Sequence, residues 1–389
     1  MKKYLFYLQS LFKNKKSIFL FGLFFAFAIT LKEVINLSYN NFQIFSYGSI
    51  DFWQGINPYS DWHHLNAKGK PLDVFIYLPV FSILFTPFAL LPSWLGAFCW
   101  NFFTYSMFYL SIFNLPSNYH FKDKKFIFFI SCLLLFATQL SMQFNPLVVA
   151  FFLFSYTLLE KNRSFLAILL LLLSGFMKVY GIFQLAMLLL YPKFWKNVIY
   201  TLFVSLGFLL LPLIRFTPNE LIIYYESWIV AITQHSEMGR FYSMYRPIFY
   251  LNSSINEYAS IISIAVLLLL CVLLLFKIKT FQKSFPHRAQ FLGILMSWLI
   301  LFGLSSELHT YVIAMVGYAI WYVTIEKTKT DKILLWINFF LLAVFPIDII
   351  CPTVISKFIL GELHLGVIVF FITWVLMIYK TFGNYSAKV

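Results

Sequence analysis

Apolar runs of roughly membrane thickness recur along almost the whole chain, and no water-soluble fold can hide so many of them. Such runs occupy about 17–37, 94–113, 126–142, 145–159, 164–178, 180–192, 197–215, 259–276, 289–305, 308–324, 333–350 and 360–379. Only 11% of residues are charged and 61% are hydrophobic, against about 25% charged in a soluble domain. The bilayer is therefore the solvent, and a single all-α integral membrane domain spanning 1–389 is expected, with about 12 crossings (11–13). The four cysteines are scattered and three lie in apolar runs. They form no disulfide framework and no paired metal motif. The basic N-terminus and the long apolar stretch after it, with no small-residue cleavage site, suggest a retained signal anchor.

Net charge is +14, which raises the question of nucleic acid. The distribution answers it. With both termini and the Lys/Arg-rich connections at 114–125, 160–163, 192–196, 277–288 and 325–332 on the inner side, 21 of 29 basic residues but only 4 of 15 acidic ones lie inside. That is the positive-inside pattern, so the basicity reports topology and contact with membrane lipids rather than a nucleic-acid partner. The scheme holds only if the proline-containing run at 76–91 bends in the membrane without crossing. The expected location is the inner (plasma) membrane of a bacterium, where helical bundles of this sort reside, with the endoplasmic reticulum of a eukaryote as the alternative.

Two large outer segments follow, at 38–92 and 216–258. The first contains the polar stretch from Tyr39, expected to include juxtamembrane helices and to roof a site. Asp51, Asp61 and Asp73 lie in it, with the adjacent His63 and His64, which are poorly placed to chelate a metal together. Further polar groups fall at the outer ends of later spans: Gln143 and Asn145 in a hairpin, Lys178 between two glycines, Arg240 and Arg246 among aromatics, and Glu307 with His309. An ionisable group at such a depth usually has a partner or a role.

Together these groups suit transfer from a lipid-linked phosphate donor. Asp73, Glu307 or Asp51 could take a proton from a hydroxyl. Lys178, Arg240, Arg246 and His309 could hold a phosphate. Asn41, Tyr59, Tyr77, Gln143, Asn145 and Tyr180 could hold sugar or acceptor. No nucleotide motif is present, and no metal or cofactor is expected.

The order of motifs resembles the polytopic GT-C-type glycosyltransferases, in particular family 87. Asn41-Phe42-x-x-Phe45 stands where that family has Asp-Phe-x-x-Tyr. Gly55-x-x-Pro58-Tyr59 and Tyr77-Leu78-Pro79 follow, the latter before an apolar run ending at Pro92. Then come Met142-Gln143-Phe144-Asn145, Lys178-Val179-Tyr180 and Ser305-Ser306-Glu307-Leu308-His309. The resemblance implies a GT-C-like fold, a polyprenyl-phosphate sugar donor (often mannose), a glycan or glycolipid acceptor, and inverting, metal-independent transfer at the outer face. The chain departs from the pattern at Asn41, because an amide cannot serve as the base. A substitute carboxylate, Asp73 or Glu307 first, is the expected replacement. A lipid-linked saccharide flippase and a non-catalytic subunit of an envelope assembly complex are the alternatives.

Overall fold

The structure is a computed structural model and describes residues 14–60, 63–236, 242–250, 254–304, 306–347 and 350–383. Among these, helices account for nearly all the regular structure, and a lone antiparallel bridge joins Leu65 to Pro71. Among the described residues, four helices are both long and apolar enough to cross a membrane: Lys15–Ile35, Phe194–Ile214, Glu257–Phe276 and Leu365–Phe382. Pro79–Ala89 and Ser93–Phe113 together make a fifth candidate, although their axes meet at 113°. Pro92 at the break has no N–H to continue the first helix. Other apolar elements, such as Asn145–Glu160 and Ser164–Met177, are shorter helices packed into the bundle. The run at 180–192 winds as a 3₁₀ helix, Val179–Leu190, and the run at 333–350 passes from Lys329–Phe339 into a π turn at Phe340–Val344.

The centre of the molecule is the antiparallel pair Phe285–Leu301 and Tyr311–Val323, both almost wholly buried. Gly293 faces Gly317 across their crossing, where a Cβ on Gly317 would stand 2.8 Å from the Gly293 carbonyl oxygen. In lipid there is little hydrophobic drive to hold helices together, so close backbone approach and buried hydrogen bonds carry that work. The Trp374 indole donates to the Ile294 carbonyl at 3.0 Å and the Trp321 indole to Thr381 Oγ1 at 2.9 Å, fixing the last helix to this pair.

The N-terminal helix is tied in similarly. Buried Asn101 donates to Thr30 Oγ1 at 2.9 Å and to the Gln139 carbonyl at 3.1 Å, and Gln139 Nε2 returns a bond to the Asn101 carbonyl at 3.1 Å. These bonds link Lys15–Ile35, Ser93–Phe113 and Phe121–Leu140.

Away from that junction, Arg288 makes a two-pronged pair with Glu160, at 2.6 and 2.7 Å. Tyr191 donates to the same carboxylate at 2.6 Å. Arg288 stands near the start of Phe285–Leu301, about 20 Å along the helix from Leu301.

Candidate active site

The polar stretch after the first span folds as a helix, a clamped loop and a return into the bundle. Asn40–Gln54 is the helix, capped by Gly55 in the left-handed region (φ 79°). A Cβ at Gly55 would stand 2.5 Å from the Arg215 guanidinium, and Arg215 Nε donates to the Trp53 carbonyl at 2.9 Å. The glycine of the Gly-x-x-Pro-Tyr motif thus admits a cation from the second outer segment. Asn57 Nδ2 donates to Ser227 Oγ at 3.0 Å and the Trp228 indole to the Ile76 carbonyl at 3.1 Å, so helix Pro218–Ser236 lies against the loop.

Residues 63–73 form a small clasp. Asn66 accepts from the amides of Lys68 and Lys70, and Gly69 turns the chain with φ 72°. Three bonds hold the clasp to the first helix region: His64 Nε2 to Asp51 Oδ2 at 2.7 Å, Ala67 N–H to Gln43 Oε1 at 3.2 Å, and Lys68 Nζ to Ser38 Oγ at 2.8 Å. The His64 ring stacks flat on Tyr47, with centroids 4.2 Å apart. Asp73 is the last residue of the clasp.

Asp73 lines a cavity of about 170 Å³ with Asn41, Tyr77, Gln143, Lys178 and Glu307. Apolar residues Ile44, Val74, Met177, Val179 and Ile232 complete its wall. Six side chains singled out in the sequence therefore meet in one recess, from five separate sections of chain.

Each is held by identifiable local structure. Asn41 Nδ2 donates to the Ser141 carbonyl at 2.7 Å, and the Trp100 indole donates to the next carbonyl, Met142, at 2.9 Å. These two bonds brace the hairpin that presents Gln143, whose buried Oε1 has no hydrogen-bond partner among the described residues. Lys178 leaves the end of Ser164–Met177 in extended backbone and its ammonium lies 5.8 Å from the Phe144 ring centroid. Gly181 lets the chain fold back there: a Cβ on it would stand 2.7 Å from the Ser174 carbonyl oxygen. Tyr77 is nearly buried, stacked on Phe81 at 4.7 Å, and its carbonyl accepts from the Tyr59 hydroxyl. Glu307 precedes the turn Leu308–Thr310, pinned by the Thr138 hydroxyl donating to the His309 carbonyl at 3.0 Å.

The other expected residues stand outside the lining. His309 Nε2 lies 2.6 Å from Glu307 Oε2. Asn145 is fully buried at the start of its helix. Asp51 is buried in its pair with His64; burial pushes its carboxyl above the ordinary value, and the His64 bond opposes that shift. Tyr59 sits under the cavity as a support for Tyr77. Arg246 packs over Tyr250 at 5.3 Å and Phe249 at 5.7 Å, away from the recess. Arg240, Ser305 and the side chain of Tyr180 fall outside the described residues.

Sequence reasoning missed Ile232, Val179 and Ile44 because apolar wall residues in a membrane protein carry no distinguishing signal. It also missed a second recess, of about 260 Å³, between Val179–Leu190, Pro218–Ser236, Ile255–Phe276 and Phe285–Leu301. Val179 and Ile232 line both spaces, and the second is walled mainly by Phe183, Ile264, Trp298, Leu299 and Phe302.

Chemically, the first cavity sets one primary ammonium and two carboxylates around a small polar space with an apolar annex. Among curated proteins, none matches the chain. The family model for glycosyltransferase family 87 matches residues 75–303, more than half of it. The matched stretch contains Tyr77, Gln143 and Lys178, while Asn41, Asp73 and Glu307 lie beyond its ends. The chain belongs to glycosyltransferase family 87, and it is a membrane-embedded, GT-C-type glycosyltransferase.

Proposed function

We propose that the protein moves a hexose such as mannose from a polyprenyl-phosphate donor to a hydroxyl of a glycan or glycolipid acceptor. The reaction takes place on the outer face of a bacterial inner membrane, in a bundle of about 12 crossings with both termini inside. The observation that carries this reading is the shared cavity of Lys178, Asp73 and Glu307, beside an apolar recess fit for a lipid chain.

In this reading the donor phosphate sits at Lys178, where Val179 joins the two spaces, and its prenyl chain runs into the apolar recess. Asp73 or Glu307 takes the proton of the acceptor hydroxyl as its oxygen attacks the anomeric carbon. The bond from that carbon to the phosphate oxygen breaks on the opposite face, and polyprenyl phosphate leaves with its new charge against the ammonium. Attack opposite the leaving group inverts the anomeric centre. The leaving group is a single phosphate, which one ammonium can balance, so the reading assigns no metal. Gln143 offers an unpaired acceptor to a sugar hydroxyl, and Tyr77 gives the sugar an apolar face. Holding two substrates in line is worth about 7 kcal/mol or more when orientation is good.

The test is sugar transfer by purified protein from a radiolabelled polyprenyl-phosphate sugar, with product stereochemistry read by NMR. Wild-type transfer is expected. One of Asp73→Asn and Glu307→Gln should lose about 10²–10⁴ in kcat, the scale of general base catalysis, and the other far less. Full activity in both variants would remove both carboxylates from the mechanism.

A further inference from the structure

At the end of the bundle opposite the cavity, a second kind of site stands apart from the chemistry. Lys277, Lys279, Thr280, His287 and Thr381 line a recess of about 650 Å³, with Leu275 and Phe276 on its rim. Among the described residues no carboxylate lines it, and the segment 277–288 carries Lys277, Lys279, Lys283 and Arg288 without an acid. Glu160, the acid that reaches Arg288, is already held by two guanidinium bonds and by Tyr191. Lys277 is built into the wall, since its ammonium donates to the Phe382 carbonyl. His287 is oriented by Ser284, whose Oγ lies 2.7 Å from its Nδ1.

The apolar side of the recess is equally specific. Phe276 is 82% exposed at its rim, and Ile261, Ile264, Leu268, Val272 and Leu275 are exposed above it. Their spacing of three and four residues places them in one stripe along helix Ile255–Phe276. A free phosphate could use the ammonium groups but would make no use of that stripe, which in a bilayer faces acyl chains. A molecule with an anionic head and an apolar chain satisfies both.

We propose that this recess binds the phosphodiester head of an anionic phospholipid, with one acyl chain lying along the Ile261–Phe276 stripe. Lys277 and Lys279 face the phosphate, and Thr280 and Thr381 donate hydroxyls to its oxygens. The positive-inside reading puts this end in the cytoplasmic leaflet, where anionic lipids attract basic segments. The site does not depend on the transfer reaction proposed above.

The test uses the full chain in nanodiscs of phosphatidylcholine with and without phosphatidylglycerol, read by native mass spectrometry of retained lipid. Wild type should retain phosphatidylglycerol over phosphatidylcholine by about tenfold or more, the effect of two basic contacts with an anionic lipid. Lys277→Gln with Lys279→Gln should abolish the preference. Lys279→Gln alone, at an exposed side chain, should weaken it and covers the case in which the double variant fails to fold. Lys327→Gln, a lysine outside the recess, should keep it. Equal retention of the two lipids by wild type, or an unchanged preference in both the single and double variants, would overturn the proposal. So would competition by soluble glycerol phosphate as effective as that by phosphatidylglycerol, because the stripe would then contribute nothing.

Discussion

The side-chain amide of Asn41 donates to the Ser141 carbonyl oxygen at 2.7 Å, and this bond limits what residue 41 can be. A carbonyl only accepts, so the group facing it must carry a hydrogen. An ionised aspartate there would set oxygen against oxygen. Asn41 thus serves as a brace between the first outer helix and the Gln143 hairpin, which fits the placing of Asp73 and Glu307 on the same cavity.

Restoring the family's acid should therefore harm rather than help. Asn41→Asp is expected to cost about 1–3 kcal/mol of stability, the penalty for leaving a buried acceptor unpaired, and to give no gain in transfer. Thermal unfolding in detergent and transfer rates check both. A faster enzyme at an unchanged unfolding midpoint would show that an acid belongs at this position.

Lys178 faces the cavity, and its proposed task is to balance charge as phosphate leaves. Lys178→Met should lower kcat by about 10²–10³, as for loss of one strong electrostatic donor, with a smaller change in KM. Lys178→Arg should recover part of the loss. A defect confined to KM would assign the ammonium to ground-state binding instead.

The Asp51–His64 clamp should leave a signature in pH. Burial raises the Asp51 carboxyl above its ordinary value, against the pull of His64. The folded state then holds that proton more tightly than the unfolded chain. The associated stability is fully present below the ordinary carboxylate pKa and is lost as pH rises through the raised value. The groups facing the pair are Tyr47, stacked on His64, and Tyr224, whose own pKa the Asp51 charge helps to raise. Asp51→Asn should flatten this slope in unfolding midpoints measured from about pH 4 to about pH 7. Parallel curves for the two proteins would contradict the assignment.

Gly181 should tolerate no side chain. Its Cβ would stand 2.7 Å from the Ser174 carbonyl, and its N–H donates to the Lys178 carbonyl at 2.7 Å. Gly181→Ala is expected to cost about 1–3 kcal/mol, as overpacking does, and to slow transfer by displacing Lys178. Gly207→Ala, inside helix Phe194–Leu210 with nothing within 4 Å of the new carbon, is the control and should be stabilising by up to about 1 kcal/mol. Equal unfolding midpoints for the two variants would argue against the close contact.

Much of the site could be read without coordinates because polar groups are scarce in this chain. Against an apolar background, Gln143, Lys178 and Glu307 stand out, and charge asymmetry alone suggested that they share a side. The run at 76–91, expected to bend, instead holds the single helix Pro79–Ala89 with Pro87 inside it, and the bend falls just beyond, before Ser93–Phe113. What escaped was anything whose signal is ordinary in lipid: Ile232 and Val179 as walls, the apolar recess, and the small-residue crossing of Gly293 and Gly317. Two of the expected residues that lie off the cavity lining are Arg246 and Asp51. Arg246 carries the right charge for a phosphate yet packs on Tyr250 and Phe249, because an arginine among aromatics can be satisfied locally. Asp51 carries the right acid yet is engaged by His64.

The 3₁₀ winding of Val179–Leu190 has a consequence of length. Twelve residues at about 2.0 Å each reach about 24 Å, whereas the same residues as an α-helix would reach about 18 Å. One end of this segment is moored, with Tyr191 bonded to Glu160 and the Arg288 guanidinium over its ring at 5.7 Å. The other end carries Lys178. A segment drawn out this way covers more of the bundle's length than an α-helix of the same residues, and its rise sets how far from the Glu160–Arg288 cluster the ammonium stands.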